Sequence, residues 1–207
     1  MPSRPVSPLP ERRQVLRAAA LFAAVIPLAA CSADDDPLAE QARAGNGKNY
    51  IAGDGSVQEY GPDSRGEPLD LKGTSYDGEQ IGAEQLKGQV TVLNFWYAAC
   101  APCRLEAPHL ATLSKAFAKK GVQFYGVNVR DGKATAAAFE RTFKIPYPSM
   151  PDADGSILLS MTEYVPPQAV PTTLVLDRQG RVAARLLGEA DESTLKALIS
   201  DLVAEPA

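Results

Sequence analysis

The chain predicts an α/β fold in which a central mixed β-sheet carries helices on both faces, and three observations lead there. Residues 90–97 form a nearly continuous apolar, β-rich run, the pattern of a strand covered on both sides. A long helical pattern follows at once, and a second buried run at 122–129 follows that. The chain then closes on a turn-linked pair of strands and a helix, which adds antiparallel partners to a parallel pair. With 207 residues, 45% of them hydrophobic and 22% charged, the composition suits one folded domain. A polytopic membrane protein and a fully disordered chain are excluded.

Residues 1–30 read as an export signal. Arg12-Arg13-Gln14-Val15-Leu16-Arg17 precedes an uncharged run at 18–30, too short for the ~20 residues that span a bilayer. The paired arginines resemble a twin-arginine signal, although Glu11 stands where Ser or Thr is usual, which leaves the Sec route open. Leu28-Ala29-Ala30-Cys31 resembles the lipobox of bacterial lipoproteins. That resemblance implies lipidation of Cys31 and a bilayer anchor on the extracytoplasmic face of the cell membrane; a plain signal peptide ending in a chance cysteine is the other reading. Residues 31–56, with Asp34-Asp35-Asp36, Gly45-Asn46-Gly47 and Gly53-Asp54-Gly55, have tether chemistry and no hydrophobic period. About 25 such residues reach roughly 25–30 Å. The folded domain is expected over 57–207.

Within it, Leu69-Asp70-Leu71 and the Asp77-Gly78 turn predict a small N-terminal hairpin, and residues 83–87 a helical turn. The strand at 90–97 leads to a helix over 101–120, with Leu105, Leu110, Leu113, Ala116 and Phe117 at helical spacing and Gly121 as its stop. A strand at 122–129 and a helix over Lys133–Phe143 come next. Thr172–Leu176, the Asp177-Arg178-Gln179-Gly180 turn and residues 181–187 form a hairpin, and 192–203 a last helix.

The formal charge of −4 conceals a basic start and an acidic body: residues 1–30 hold Arg4, Arg12, Arg13 and Arg17 against the single Glu11. An acidic body repels phosphate backbones, so nucleic acid is not an expected partner.

The chemistry sits where the first long strand turns into the first long helix, at Cys100-Ala101-Pro102-Cys103. Two cysteines three apart in a first helical turn bring their sulfurs within bonding reach. The first also meets unpaired backbone N–H groups and the positive end of the helix dipole, which favour its thiolate. Pro102 suits a first-turn position, where its missing N–H costs nothing. Two other readings stay open on these residues alone. Half a zinc site would need two further ligands, and only Cys31 and the single His109 are candidates. A purely structural bridge over so short a loop stabilises little. His109 itself reads as a helix-surface residue.

The run Phe95-Trp96-Tyr97-Ala98-Ala99-Cys100-Ala101-Pro102-Cys103-Arg104, with Val170-Pro171-Thr172-Thr173 downstream, resembles the thioredoxin fold. Arg104-Leu105-Glu106-Ala107-Pro108 and the N-terminal hairpin resemble its membrane-anchored, extracytoplasmic TlpA/ResA-like branch, over roughly residues 66–205. The resemblance implies a three-layer sandwich with an N-terminal β-hairpin extension. It implies that Pro171 is cis and faces the dithiol, and that Val170 offers backbone groups to a substrate peptide. Without it, Val170-Pro171 is an extended dipeptide entering a strand. Trp96 and Tyr97 pack around the active-site loop, and Trp96 joins Val170 and Pro171 as a substrate-side candidate.

Asn94 stands where thioredoxins bury a titrating Asp. Glu106 matches the branch's carboxylate one helical turn beyond Cys103, where partial burial raises its pKa and fits it to take the Cys103 proton; a solvated helix charge is the alternative. Ala99 replaces an aromatic that many members carry. The implied activity is a thiol–disulfide oxidoreductase: Cys100, the exposed sulfur, attacks a client disulfide, and Cys103 resolves the mixed disulfide. The expected partners are disulfide-bearing proteins, among them apocytochrome c, and an upstream membrane thiol donor. No metal or organic cofactor is implied. A disulfide oxidase or isomerase, a thiol peroxidase and a copper-delivery module are the rival readings.

Overall fold

The computed structural model describes residues 55–206. The readings placed on residues 1–54, including the export signal, lipidation at Cys31 and most of the tether, lie outside the described residues. No helix among the described residues is long and apolar enough to cross a membrane.

The elements run β1 (Val57–Glu59), β2 (Lys72–Thr74), β3 (Gln80–Gly82), α1 (Ala83–Leu86), β4 (Val90–Trp96), α2 (Ala101–Phe117), β5 (Val122–Asn128), α3 (Lys133–Phe143), β6 (Ser149–Pro151), α4 (Ser156–Ser160), β7 (Thr172–Leu176), β8 (Val182–Leu187) and α5 (Glu192–Ala204). Six strands form one mixed sheet in the order β1-β8-β7-β4-β5-β6, and β2 and β3 form a separate antiparallel hairpin. β4 pairs with β5 in parallel and with β7 antiparallel, so β4 is central and buried along its whole length.

Alternation along β4 sorts its side chains. Val90 and Val92 face α2 and α5, in a core with Leu110, Leu113, Leu195 and Ile199. Leu93 and Phe95 face the opposite way, toward the hairpin, α1 and α4, packing with Leu71, Ile81, Leu86 and Ile157. By the same parity Asn94 and Trp96 point to the α2 side of the sheet.

The helix expected over 101–120 runs as α2 to Phe117 and tightens into a 3-10 turn over Ala118–Lys120. Gly121, at φ 73°, stops it in the left-handed region that favours glycine. Leu105 and Ala116 depart from expectation by facing solvent, Leu105 with 61% exposure. Their places on the inner face are taken by Glu106 and Ala107. The N-terminal hairpin lies a few residues later than expected. Leu69 and Leu71 are buried anchors ahead of β2, and the Asp77-Gly78 turn joins β2 to β3. β1, β6 and α4 are elements that periodicity does not announce.

Candidate active site

β4 and α2 meet at the dithiol. Cys100 caps α2: its Sγ accepts from the Cys103 N–H at 3.2 Å, so one of the helix's orphan donors already points at the sulfur that would carry the negative charge. A hydrogen bond from the Cys100 N–H to the Tyr97 carbonyl, 3.2 Å, closes the preceding turn. The two sulfurs are joined, with Cα atoms 5.3 Å apart. Cys100 is 0% exposed in this disulfide form and Cys103 1%. That corrects the expectation of an exposed Cys100. Bonding to Cys103 holds its sulfur beneath Val170, whose carbonyl oxygen lies 3.9 Å away.

The Val170-Pro171 bond is cis, and this strand entrance faces the dithiol. A groove of about 330 Å³ opens beside it, lined by Tyr97, Val129, Arg130, Leu159, Gln168 and Val170. The Arg130 guanidinium stacks 3.9 Å over the Tyr97 ring on its margin. Trp96 is elsewhere. It is buried, 4.3 Å from the Phe139 ring of α3, on the inner side of the active-site loop. Gly126 makes room for it, since a Cβ there would meet the Trp96 indole nitrogen and the Ser149 hydroxyl. Packing, not client contact, is the role this position supports. Ala99 is exposed next to the dithiol, and His109 is half-buried.

Glu106 is 0% exposed. Its Oε1 accepts from Asn94 Nδ2 and its Oε2 from the Ala190 N–H, each at 2.8 Å. Asn94 Nδ2 also donates to Thr173 Oγ1 at 3.1 Å, because the antiparallel register sets Asn94 opposite Thr173. Burial pushes the Glu106 carboxyl up to about 8, with the charge of Glu189 adding to the rise and the two donated hydrogen bonds opposing it. No cation pairs with it among the described residues. Asn94 and Cys103 line the same narrow gap, so the carboxyl's hydrogen-bond partner lies on the side of the deeper cysteine. The solvated-surface alternative for Glu106 is thereby excluded.

Asp131 is a further residue of the site, outside the motifs of the sequence. Its carboxylate accepts from the Ala98 N–H, two residues before Cys100, at 2.6 Å. An Asn-x-x-Asp run closing a buried strand was the available signal. Among the described residues, no three His, Cys, Asp or Glu side chains converge as a metal site requires.

Comparison with known proteins fits this geometry. Residues 66–185 match the AhpC/TSA family. Thiol-disulfide oxidoreductase ResA of Bacillus subtilis is 30% identical over 119 residues, which span 58% of this chain and 64% of the relative. Thiol:disulfide interchange protein DsbE of Pseudomonas aeruginosa is 31% identical over 143 residues, 67% of this chain and 75% of the relative. Among solved structures, a secreted thiol-disulfide isomerase from Corynebacterium glutamicum superposes with a TM-score of 0.65 at 33% identity, over 73% of this chain and 95% of that one. The mixed sheet with its flanking helices is the thioredoxin-like fold.

Proposed function

The chain belongs to the AhpC/TSA family, among its thiol–disulfide oxidoreductases, and from that premise we propose that it reduces disulfides of exported proteins. The observation that carries the reading is the closed Cys100–Cys103 pair at a helix N-terminus, with the cis Val170-Pro171 entrance in front and a buried carboxyl held by neutral donors behind.

In the reduced enzyme the Cys103 N–H and the helix dipole favour the Cys100 thiolate. It attacks one sulfur of a client disulfide; the other leaves as a thiolate and takes up a proton from solvent. Cys103 gives its proton to ionised Glu106 and attacks Cys100, releasing the second client sulfur as a thiolate that takes up a proton from solvent, and closing the Cys100–Cys103 bond; Glu106 then returns its proton to solvent. Two electrons pass to the client. A carboxyl titrating near 8 suits this task, because it exchanges protons near neutral pH. The client segment lies along the groove beside Val170, whose backbone pairs with it as an added strand. Apocytochrome c is the client class proposed, since haem attachment to its C-x-x-C-H motif requires free thiols. A membrane thiol donor re-reduces the pair, and lipidation at Cys31 keeps the domain beside that donor.

The test is the reduction potential of the purified domain against glutathione buffers. We expect a value nearer about −270 mV than about −120 mV. A potential above about −150 mV, with oxidation of reduced peptides, would transfer the protein to the oxidase reading. Metabolic labelling with a fatty acid tests the anchor: the wild type should label and Cys31→Ala should not.

A further inference from the structure

We propose that Asp131 is a positioning residue for the dithiol, and that the N-terminal hairpin acts on the redox centre through it. The active-site turn of residues 97–100 is closed by the Cys100 N–H to Tyr97 carbonyl bond, and Cys100 must stand where the Cys103 N–H meets its sulfur. Ala98, whose side chain carries no chemistry, ties this turn to the rest of the fold through its backbone. Its N–H donates to Asp131 Oδ2 at 2.6 Å, and its carbonyl accepts from Arg104 Nη1 at 3.3 Å.

Asp131 is fixed in turn from three directions. Asn128, fully buried at the end of β5, accepts through Oδ1 from the N–H groups of Arg130 and Asp131, at 3.1 and 2.7 Å. Its Nδ2 donates to Asp131 Oδ2 at 3.0 Å, so the carboxylate is oriented before it reaches Ala98. The Tyr76 hydroxyl, from the turn between β2 and β3, donates to the Asp131 carbonyl at 2.6 Å. Tyr76 is itself held, its N–H by the Ser149 carbonyl at 3.0 Å and its carbonyl by Lys133 Nζ at 2.6 Å. Burial, reinforced by the charges of Asp131 and Glu140, pushes the Tyr76 phenol up to about 12, so it stays a donor at any working pH. A continuous chain of hydrogen bonds therefore runs from the hairpin through Tyr76, Asp131 and Ala98 to the turn that sets Cys100. A charged acceptor on a backbone N–H makes the Ala98 link one of the stronger bonds in it.

The inference rests on the dithiol being the redox centre but not on the direction in which it works, so its test reads the couple itself. Full-length Asp131→Ala, Asp131→Asn, Tyr76→Phe and Asp131→Ala/Tyr76→Phe variants are reduced. The Cys100 thiolate is then titrated by ultraviolet absorbance, and the reduction potential and the rate of reaction with a small disulfide are measured. Loss of the carboxylate, and with it the bonds from Ala98 and Asn128, predicts a rate at neutral pH about five-fold lower in Asp131→Ala, with the thiolate appearing at higher pH and the potential shifted. Tyr76→Phe moves the same quantities in the same direction by less. The double variant is no slower than Asp131→Ala, because Tyr76 acts through Asp131. A loss of thermal stability with thiolate titration and rate within two-fold of wild type in Asp131→Ala overturns the proposal, as does additivity in the double variant. Should Asp131→Ala fail to fold, Asp131→Asn and Tyr76→Phe decide on the same readouts, and wild-type values in both overturn it.

Discussion

The two ends of the sheet bury charge in opposite ways. At the end of β7 away from the dithiol, Asp177 accepts from Arg65 and Arg181, at 3.1 and 2.8 Å, and from the N–H groups of Gln179 and Arg181 at 2.9 Å. Arg65 reaches on to Glu205 with two contacts of 2.8 and 2.6 Å. Arg178 beside it covers the last carbonyls of α5. Asp177, Arg65, Arg181 and Glu205 are all ion-paired there. At the other end Glu106 is as deeply buried and receives only neutral donors. Matched charge holds the fold and has no reason to change protonation. Unmatched charge costs stability and gives a group that trades protons near neutral pH. Architecture sits at one end of the sheet and chemistry at the other.

Removing the sulfurs gives the largest contrast. Cys100→Ser should abolish thiol exchange, since no attacking thiolate remains, while Cys103→Ser should accumulate a mixed disulfide visible on non-reducing gels. Equal trapping by both variants would falsify these roles. The counter-experiment at the far end is Arg65→Ala, which leaves Asp177 with Arg181 alone as its ion-pair partner. It should destabilise the domain by about 2 kcal/mol in urea unfolding, the scale of a lost charge-assisted hydrogen bond, with the exchange rate of the folded fraction unchanged. A comparable loss of exchange would erase the division between the ends.

How much of this was legible in the sequence follows from how local each feature is. β4, β5, β7 and α3 were readable because their patterns lie within the segment that forms them, and α3 spans Lys133–Phe143 as expected. Cys100 and Cys103 were readable because the helix start fixes their geometry. The Arg65–Asp177 pair joins residues 112 positions apart, and no local pattern announces it. β1 is three exposed residues paired to β8 at the sheet edge, so it has no burial signal. α4 is only five residues long, and its start is set by Asp152, which accepts from the N–H groups of Ile157 and Leu158. Leu105 misled because spacing alone does not say which stripe faces inward. The inner stripe here includes a carboxylate, and its depth came from the resemblance, not from periodicity.

Glu106→Gln perturbs the chemical end without touching a sulfur. It should slow resolution by Cys103 about 10²-fold at pH 8 and flatten the pH–rate profile between about pH 6 and 9. The stability effect has a definite sign. The carboxyl titrates near 8 when folded, against an ordinary value of 4.5, so across that window the folded state holds a proton that the unfolded state has lost. The contribution of Glu106 to stability is therefore full below about pH 4.5 and falls as pH rises toward 8. Glu106→Gln should lose most of this slope. A residual slope of the same sign remains from Glu140, whose carboxyl burial also raises. Parallel stability–pH curves for wild type and variant would return Glu106 to the class of matched charges.

Thr173→Val is the smallest perturbation and examines the neutral donors themselves. The Asn94 amide has two hydrogens, one given to Glu106 and one to Thr173. Valine keeps the shape of threonine and removes the second acceptor, leaving a buried N–H unpaired beside an intact Glu106 contact. Stability should fall by about 1 kcal/mol, the cost of one unsatisfied neutral donor. The pH–rate midpoint should barely move, because both bonds to the carboxylate survive. If the midpoint moves as far as in Glu106→Gln, the Thr173 hydroxyl belongs to the proton-handling group and not to its frame. The chemical end would then extend from α2 across β4 into β7.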